Sequence, residues 1–230
     1  VTLREPELAL QHLESALQTH REAGNPIGES STLSAIGRIY WIQGDLQRTH
    51  ACIQQSLDIA RHIGHRRQQG RLFHSLGLLH FERGQLDESH HCLEDGLNIT
   101  RDMSDRHYEG IILGNLGLLY KELGDFARGR ETLEEAVHIA REVQDQRLEG
   151  SLHFNRADLA YMQQDYAFAD AHLEAAYAIA IKRFPALVGV IWGTWAKVHV
   201  RNGRMDEAQH AIEAGEPHIR AMGEKRESAK

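Results

Sequence analysis

Two cysteines and sixteen histidines are the residues best suited to hold a metal. His50 and Cys52 are two apart, and His90, His91 and Cys92 repeat the grouping forty residues later. Thiolate sulfur and imidazole nitrogen are the ligands zinc prefers. On a helix, however, side chains two positions apart point about 200° away from each other. His12 and His172 occupy the Cys52 column as well, which fits a tolerant, solvated helix surface. Acid–base chemistry is the next possibility, through pairs such as Asp87-Glu88 and Glu134-Glu135. A working pair must converge in a cleft with shifted pKa values, whereas adjacent helix carboxylates form solvated faces. No serine or cysteine nucleophile stands in a recognisable motif, and no glycine-rich phosphate loop follows a strand. The spacing predicts no catalytic residue, no metal site and no cofactor.

The elements that carry these residues repeat. Leu113 to Ala136 reads as helix, tight turn, helix around Gly124-Asp125-Phe126. Gly44-Asp45-Leu46 and Gly84-Gln85-Leu86 precede that turn at forty-residue steps; Gln164-Asp165-Tyr166 and Gly203-Arg204-Met205 follow it, the last step being thirty-nine. A fixed period in this range marks an array of stacked supersecondary units. The pattern predicts an all-α chain: a leading helix at 7–23, then helix pairs over about 26–63, 66–103, 106–143, 146–183 and 185–216. Residues 1–223 read as a single solenoid and 224–230 as a charged, disordered tail. Because the first helix of the leading pair is missing, the chain reads as a fragment of a longer protein. The uncapped apolar face of 7–23 would then favour a homo-oligomer.

Local signals agree with these boundaries. Asn25-Pro26 places a cap and then a proline in the first helical position. Asp45, Asp105, Asp125, Asp145 and Asp165 suit the same capping role. Gly44, Gly84, Gly124 and Gly203 suit the left-handed residue that ends a helix. Gln164 breaks that column, so its turn is expected to be strained. Gly37, Gly77 and Gly117 share a mid-helix column, continued by Ala157 and Ala196. Mid-helix glycine costs roughly 1 kcal/mol against alanine, so three in one column predict a close helix contact. Pro217 is expected to end or kink the last helix near Glu216.

Composition narrows the partners. Charged residues make up 26% and apolar residues 41% of the chain, with a net charge of −7, which is enough apolar content for a packed core. No basic patch dominates, so nucleic acid is not an expected partner, and no apolar run approaches the roughly 20 residues a membrane span needs. Cys52 and Cys92 occupy one column of neighbouring repeats, about 10 Å apart at helix packing distance. A disulfide needs Cα atoms within about 7 Å, so two free thiols and a reducing, cytoplasmic setting are expected.

The columns resemble the tetratricopeptide repeat. One unit shows Leu113, Leu116-Gly117, Tyr120, Gly129, Leu133 and Ala136; another shows Leu33, Ile36-Gly37, Tyr40, Thr49, Ile53 and Ser56. The forty-residue period is similar to the longer variant of kinesin light chains and of bacterial signalling and regulatory proteins. The fourth unit departs from the pattern, with Arg156 in the Leu column and Ala160 in the Tyr column. The resemblance implies a right-handed α-solenoid of stacked antiparallel helix pairs, a superhelix whose concave groove, lined by the first helices, holds a protein or peptide. It implies no chemistry.

Carried over column by column, the resemblance places Trp41, Phe81, Lys121 and Tyr161 in one groove column and Arg38, Asp158 and Lys197 in another. His74 and Phe154 form a third, with Asn115 and Asn155 beside it. Aromatic anchors next to cations and amides are the chemistry of a peptide groove. Trp41, Phe81 and Tyr161 equally fit packing between repeats. Asn115, Asn155, Lys121 and Lys197 are partly similar to a clamp for a C-terminal carboxylate, without matching its pattern. The function expected is a non-catalytic binding scaffold within a larger bacterial signalling or regulatory protein. The alternatives are a peptide- or ligand-sensing domain that switches an attached effector, and a repeat-built phosphatase, which would need a further helical bundle.

Overall fold

The structure, a computed structural model, describes the backbone of residues 4–228 and the side chains of 7–182, 184 and 187–220. Eleven helices and no strand occur among the described residues. They are α1 (Arg4–Glu22), α2 (Pro26–Ile42), α3 (Leu46–His62), α4 (Arg66–Glu82), α5 (Leu86–Asp102), α6 (Arg106–Glu122), α7 (Phe126–Glu142), α8 (Gln146–Met162), α9 (Tyr166–Arg183), α10 (Pro185–Arg201) and α11 (Met205–Ser228). The chain divides into two compact units, Val1–Tyr108 and Glu109–Lys230. In each unit successive helices pack in sequence order, α2 on α3 and α4 on α5 in unit 1, α8 on α9 and α10 on α11 in unit 2. Each unit is a solenoid of antiparallel helix pairs.

The turns explain why the helices stop where they do. The seven helices from α2 to α8 have 17 residues each, and the turns from α1 to α9 and from α10 to α11 close with a left-handed residue. Gly24, Gly44, Gly64, Gly84, Gly124 and Gly203 have φ between 60° and 78°. Ser104, Gln144 and Gln164 do the same work at φ 52°, 56° and 61° without glycine's freedom. Strain at Gln164 follows from the sequence; the left-handed Ser104 and Gln144 are additions. The next helix is then capped. Asp45 Oδ1 accepts from the Arg48 N–H at 2.9 Å, Asp145 Oδ1 from Leu148 at 2.9 Å and Asp165 Oδ1 from Phe168 at 3.1 Å. His65 caps α4 in place of a carboxylate, its Nδ1 accepting from Gln68 N at 3.1 Å.

The glycine column has the packing role expected of it. A Cβ built on Gly117 would lie 2.5 Å from Leu133 Cγ, and one on Gly77 2.7 Å from Leu93 Cγ. Leu93 and Leu133 are fully buried there. In unit 1 the core runs through Leu33 and Ile36, then Ile53, Leu57, Leu72 and Leu76. Ser30 and Ser56 tie α2 to α3, each hydroxyl bonding the other residue's carbonyl at 3.0 and 2.7 Å. In unit 2 the core continues through Leu173, Ala176, Val188, Ile191 and Trp195.

Two expectations need correction. Pro217, expected to end or kink the last helix near Glu216, does not end it: α11 runs from Met205 to Ser228 with Pro217 inside it. Proline removes one backbone N–H and leaves the carbonyl four residues earlier without a partner. Both Glu213 and Pro217 are exposed, where solvent can satisfy such an acceptor. Residues 224–228, expected to be disordered, are the end of this helix; Ala229 and Lys230 lie outside the described residues.

Three substitutions test this account by thermal unfolding. Gly117→Ala gains about 1 kcal/mol in helix propensity but forces a methyl into Leu133, and overpacking costs typically 1–3 kcal/mol; the net expectation is a lower Tm. Gly193→Ala meets nothing within 4 Å and should raise Tm. Gln164→Gly should stabilise by about 0.5–1 kcal/mol, because a left-handed non-glycine residue costs roughly 1–2 kcal/mol. A fall in Tm for Gln164→Gly would count against the strained turn.

Candidate functional site

Unit 1 encloses a cavity of about 480 Å³ between its first helices. Arg38 and Trp41 reach it from α2, Gln68, Arg71, His74 and Leu78 from α4, and Tyr108 from the start of α6. The helical period explains the convergence. Positions 34, 38 and 41 fall on one stripe of α2, and 71, 74, 75 and 78 on one stripe of α4. Thr49 and Ile53 of α3 complete the lining between these stripes.

The electrostatics of the lining are one-sided. Among the described residues no Asp or Glu lines the cavity. Arg38 and Arg71 are exposed, and among the described residues neither forms an ion pair. The Arg71 guanidinium lies 4.8 Å from the Tyr108 ring centroid, a cation–π arrangement that holds the charge in place without neutralising it. His74 meets the same ring edge-on at 5.8 Å. Burial pushes the His74 imidazole down to about 4, so it stays neutral at pH 7. Ser31, Ser34 and Ser75 add hydroxyls. The result is two free cations, a half-buried indole and several hydrogen-bonding groups around one hollow.

Of the residues picked from the sequence, Arg38, Trp41 and His74 are therefore brought together. Phe81 is half-buried outside the lining. Arg71 and Tyr108 were missed. Arg71 shares its column with Ser31, whose character gave no hint, and Tyr108 sits in the first turn of its helix, away from the columns considered.

In unit 2 the picked residues are placed differently. Lys121 Nζ donates to Asp158 Oδ2 at 2.6 Å and lies 3.2 Å from Glu122. Burial alone would lower the ammonium's pKa, but the hydrogen bond and charge of Asp158, helped by Glu122, hold it above the ordinary lysine value. These two residues satisfy each other. Asn115 Nδ2 donates to the Ile111 carbonyl of its own helix at 3.1 Å. Tyr161 and Phe154 pack against the apolar core of the unit, with Tyr161 6.4 Å from the Tyr166 ring. Tyr161 thus packs against the core, whereas Trp41 lines the unit 1 cavity. Asn155 is half-buried, and Lys197 is exposed.

The irregular fourth pair resolves into a polar cluster. Arg156 occupies the leucine column and stacks over Phe168, its guanidinium 5.4 Å from the ring centroid. His153 is buried, with its ring stacked on His172 at 5.1 Å and the two Nδ1 atoms 2.9 Å apart. Arg141 Nη2 lies 3.2 Å from His153 Nε2. A guanidinium can only donate, so His153 Nε2 accepts and its Nδ1–H donates to His172. Burial, then the charges of Arg156, His153 and Arg141, push His172 down to about 4. Burial likewise lowers His153, with Arg141 acting in the same direction and Glu149 against it.

Elsewhere, Cys52 and Cys92 are free thiols, and burial pushes both pKa values up. Among the described residues no group of three or more His, Cys, Asp or Glu is placed to hold a metal ion, and no helix is long and apolar enough to cross a membrane.

The profile of the tetratricopeptide repeat family matches residues 29–102 and 108–182. No curated protein sequence matches the chain. The fold is similar to the crystal structure of BtubC (BKLC) from P. vanneervenii, at a TM-score of 0.82 and 18% identity over 95% of this chain and 92% of that one. It is similar to a Podosopora anserina putative kinesin light chain with nearly identical repeats, at 0.67 and 19% identity over 84% of this chain and 95% of that one. It is also similar to the Rap conjugation gene regulator of plasmid pLS20, solved with a Phr peptide, at 0.71 and 13% identity over 98% of this chain and 60% of that one. At these identities the likeness is one of fold.

His74 and His172, the histidines pushed furthest down, predict a pH dependence of stability. In the unfolded chain each takes a proton near 6.5, whereas folded His74 and His172 take theirs only near 4. Between those values the unfolded state binds more protons, so stability is complete above about pH 6.5 and falls as pH drops toward 4. Urea midpoints measured from pH 7 to pH 5 should decline. His74→Gln should flatten the decline by roughly one proton's worth of slope, and a midpoint independent of pH across that range would exclude buried neutral histidines.

Proposed function

Because the chain belongs to the tetratricopeptide repeat family, we propose that it is a non-catalytic scaffold that binds a protein or peptide, and that the unit 1 cavity receives an acidic segment of that partner. One observation carries this reading: two guanidiniums, Arg38 and Arg71, stand without carboxylate partners around a half-buried Trp41. An arginine fork matches a carboxylate in shape and charge. An indole beside it offers a large apolar face, and Trp and Arg are the residue types most often found at binding hot spots. The preferred ligand is a peptide with an acidic residue close to an apolar one. The acidic group pairs with Arg38 or Arg71, the apolar group covers Trp41 and Leu78, and the serine hydroxyls and Gln68 serve the peptide backbone.

A regulatory role within a larger signalling protein is part of the same proposal. It is supported by the fold's likeness to a regulator solved with a bound peptide. In that setting, peptide capture would be the input and an attached domain the output.

The test is a peptide array probed with the purified protein, followed by calorimetry on the best binders. Peptides pairing Asp or Glu with a large apolar residue should be enriched. Arg38→Glu together with Arg71→Glu, both surface changes, should weaken them at least about tenfold, the loss of roughly 1.4 kcal/mol, and Trp41→Ala should do so independently. Enrichment of basic peptides, or binding untouched by the double variant, would overturn the assignment.

A further inference from the structure

The charge in the unit 1 cavity says more than that an acidic group fits there. Arg38 and Arg71 bring two full positive charges to one hollow, and among the described residues no carboxylate lines it. His74, in the same lining, is neutral at pH 7. One carboxylate entering the cavity cancels one charge and leaves the other. A guanidinium fork also engages both oxygens of a carboxylate by itself. A single Asp or Glu side chain thus saturates one arginine and leaves the second idle.

The hydroxyls of the lining fall into two groups. Thr49 donates its proton to the Asp45 carbonyl at 2.8 Å, and Ser75 donates to the Arg71 carbonyl at 3.0 Å. Ser31 and Ser34, both on α2, have no protein partner among the described residues. They are donors available to a ligand, on the helix that also carries Arg38. Arg71 comes from α4 and is held over the Tyr108 ring at 4.8 Å, so its place is set before a ligand arrives. The cavity therefore offers donors from two helices, with two charges and nothing to neutralise them.

A phosphomonoester complements that arrangement. It carries about −1.5 to −2 charges at pH 7 and three strong acceptor oxygens. Its tetrahedral oxygens can accept from two forks at once and leave one for a serine hydroxyl, and its charge cancels that of the whole lining. Two neighbouring carboxylates also supply two charges, but two side chains must then be ordered in the same hollow, each losing rotamer freedom. A phosphate places the same charge on one.

We propose that the unit 1 cavity recognises a phosphorylated side chain of the partner protein, with the phosphate between Arg38 and Arg71 and a neighbouring apolar residue over Trp41. The proposal rests on the reading of this cavity as the receptor of an acidic segment and narrows the acidic group to a phosphate. Binding is then conditional on the modification state of the partner, because an unmodified serine leaves both arginines without a counter-charge.

Calorimetry on the full chain tests it with acetyl-Gly-Leu-X-Leu-Gly-amide, where X is phosphoserine, glutamate or serine. Acetyl-Gly-Leu-Glu-Glu-Leu-Gly-amide and inorganic phosphate are the comparison ligands. The phosphoserine peptide should bind at least about tenfold tighter than the glutamate peptide, as one more hydrogen bond to a charged group provides. It should also bind tighter than the Glu-Glu peptide, and the serine peptide should not bind. Arg38→Gln and Arg71→Gln, both at exposed positions, should each weaken the phosphopeptide about tenfold or more on their own, since both touch one group. Unchanged Tm in each variant excludes unfolding as the cause. Glutamate or Glu-Glu peptides as tight as the phosphopeptide would overturn the phosphate assignment and leave the acidic-segment reading standing. So would phosphopeptide affinity that survives either single arginine variant. Inorganic phosphate binding as tightly as the phosphopeptide would assign the cavity to a free anion and overturn the partner. Binding of no acidic peptide at all would remove both readings.

Discussion

Everything in this chain depends on how closely the two helices of a pair approach. At Gly37, Gly77 and Gly117 the absent Cβ lets the second helix settle against the first, with Cys52 and Ile53 facing Gly37 and a leucine filling the space at the other two, 2.5 Å from where a methyl carbon would stand at Gly117. That approach fixes which stripe of each helix is buried. It also fixes what is left over. In unit 1 the first helices keep one stripe out of the core, and the 480 Å³ cavity forms along it, with Thr49 and Ile53 of α3 also in its lining. The binding surface is thus a by-product of core packing, decorated by residues that the core does not use.

The helix positions were legible because three independent signals coincide every twenty residues: the end of an apolar period, a residue suited to left-handed backbone, and a capping side chain. Caps at Asp45, Asp125, Asp145 and Asp165 all engage the backbone as their residue types demand. The misread helix end has a physical reason. Proline's effect depends on whether the orphaned carbonyl can reach water, and exposure around Pro217 is a tertiary property.

The candidate site was less legible. Repeat columns say which positions are equivalent, not which neighbours a long side chain reaches. Lys121 and Asp158 were assigned to adjacent columns of a groove, yet they bond each other. Their separation of 37 is one helical turn short of the repeat, the spacing at which Arg83 also reaches the Leu46 carbonyl. Opposite charges at that separation are a sequence signal for pairing between repeats. The Arg156 column shows the converse. A charge in a leucine position reads as a defect until Phe168, His153 and His172 are seen to surround it. There the structure replaces apolar packing with stacked rings and a directed hydrogen-bond chain.

The joints between helices have one more consequence. From α2 through α8, every helix has 17 residues and every connection three. Adding one residue inside a helix would rotate everything beyond it by about 100° and throw each inward leucine toward water. A residue added at a joint only lengthens a surface loop. The chain's own irregularity obeys this rule: the step from forty to thirty-nine falls at Phe184, where a single residue links Arg183 to Pro185. Insertions and deletions are thus confined by geometry to the joints, and an epitope or a fluorophore-bearing loop spliced in after Gly84 or Gly124 would leave the stripes on either side aligned.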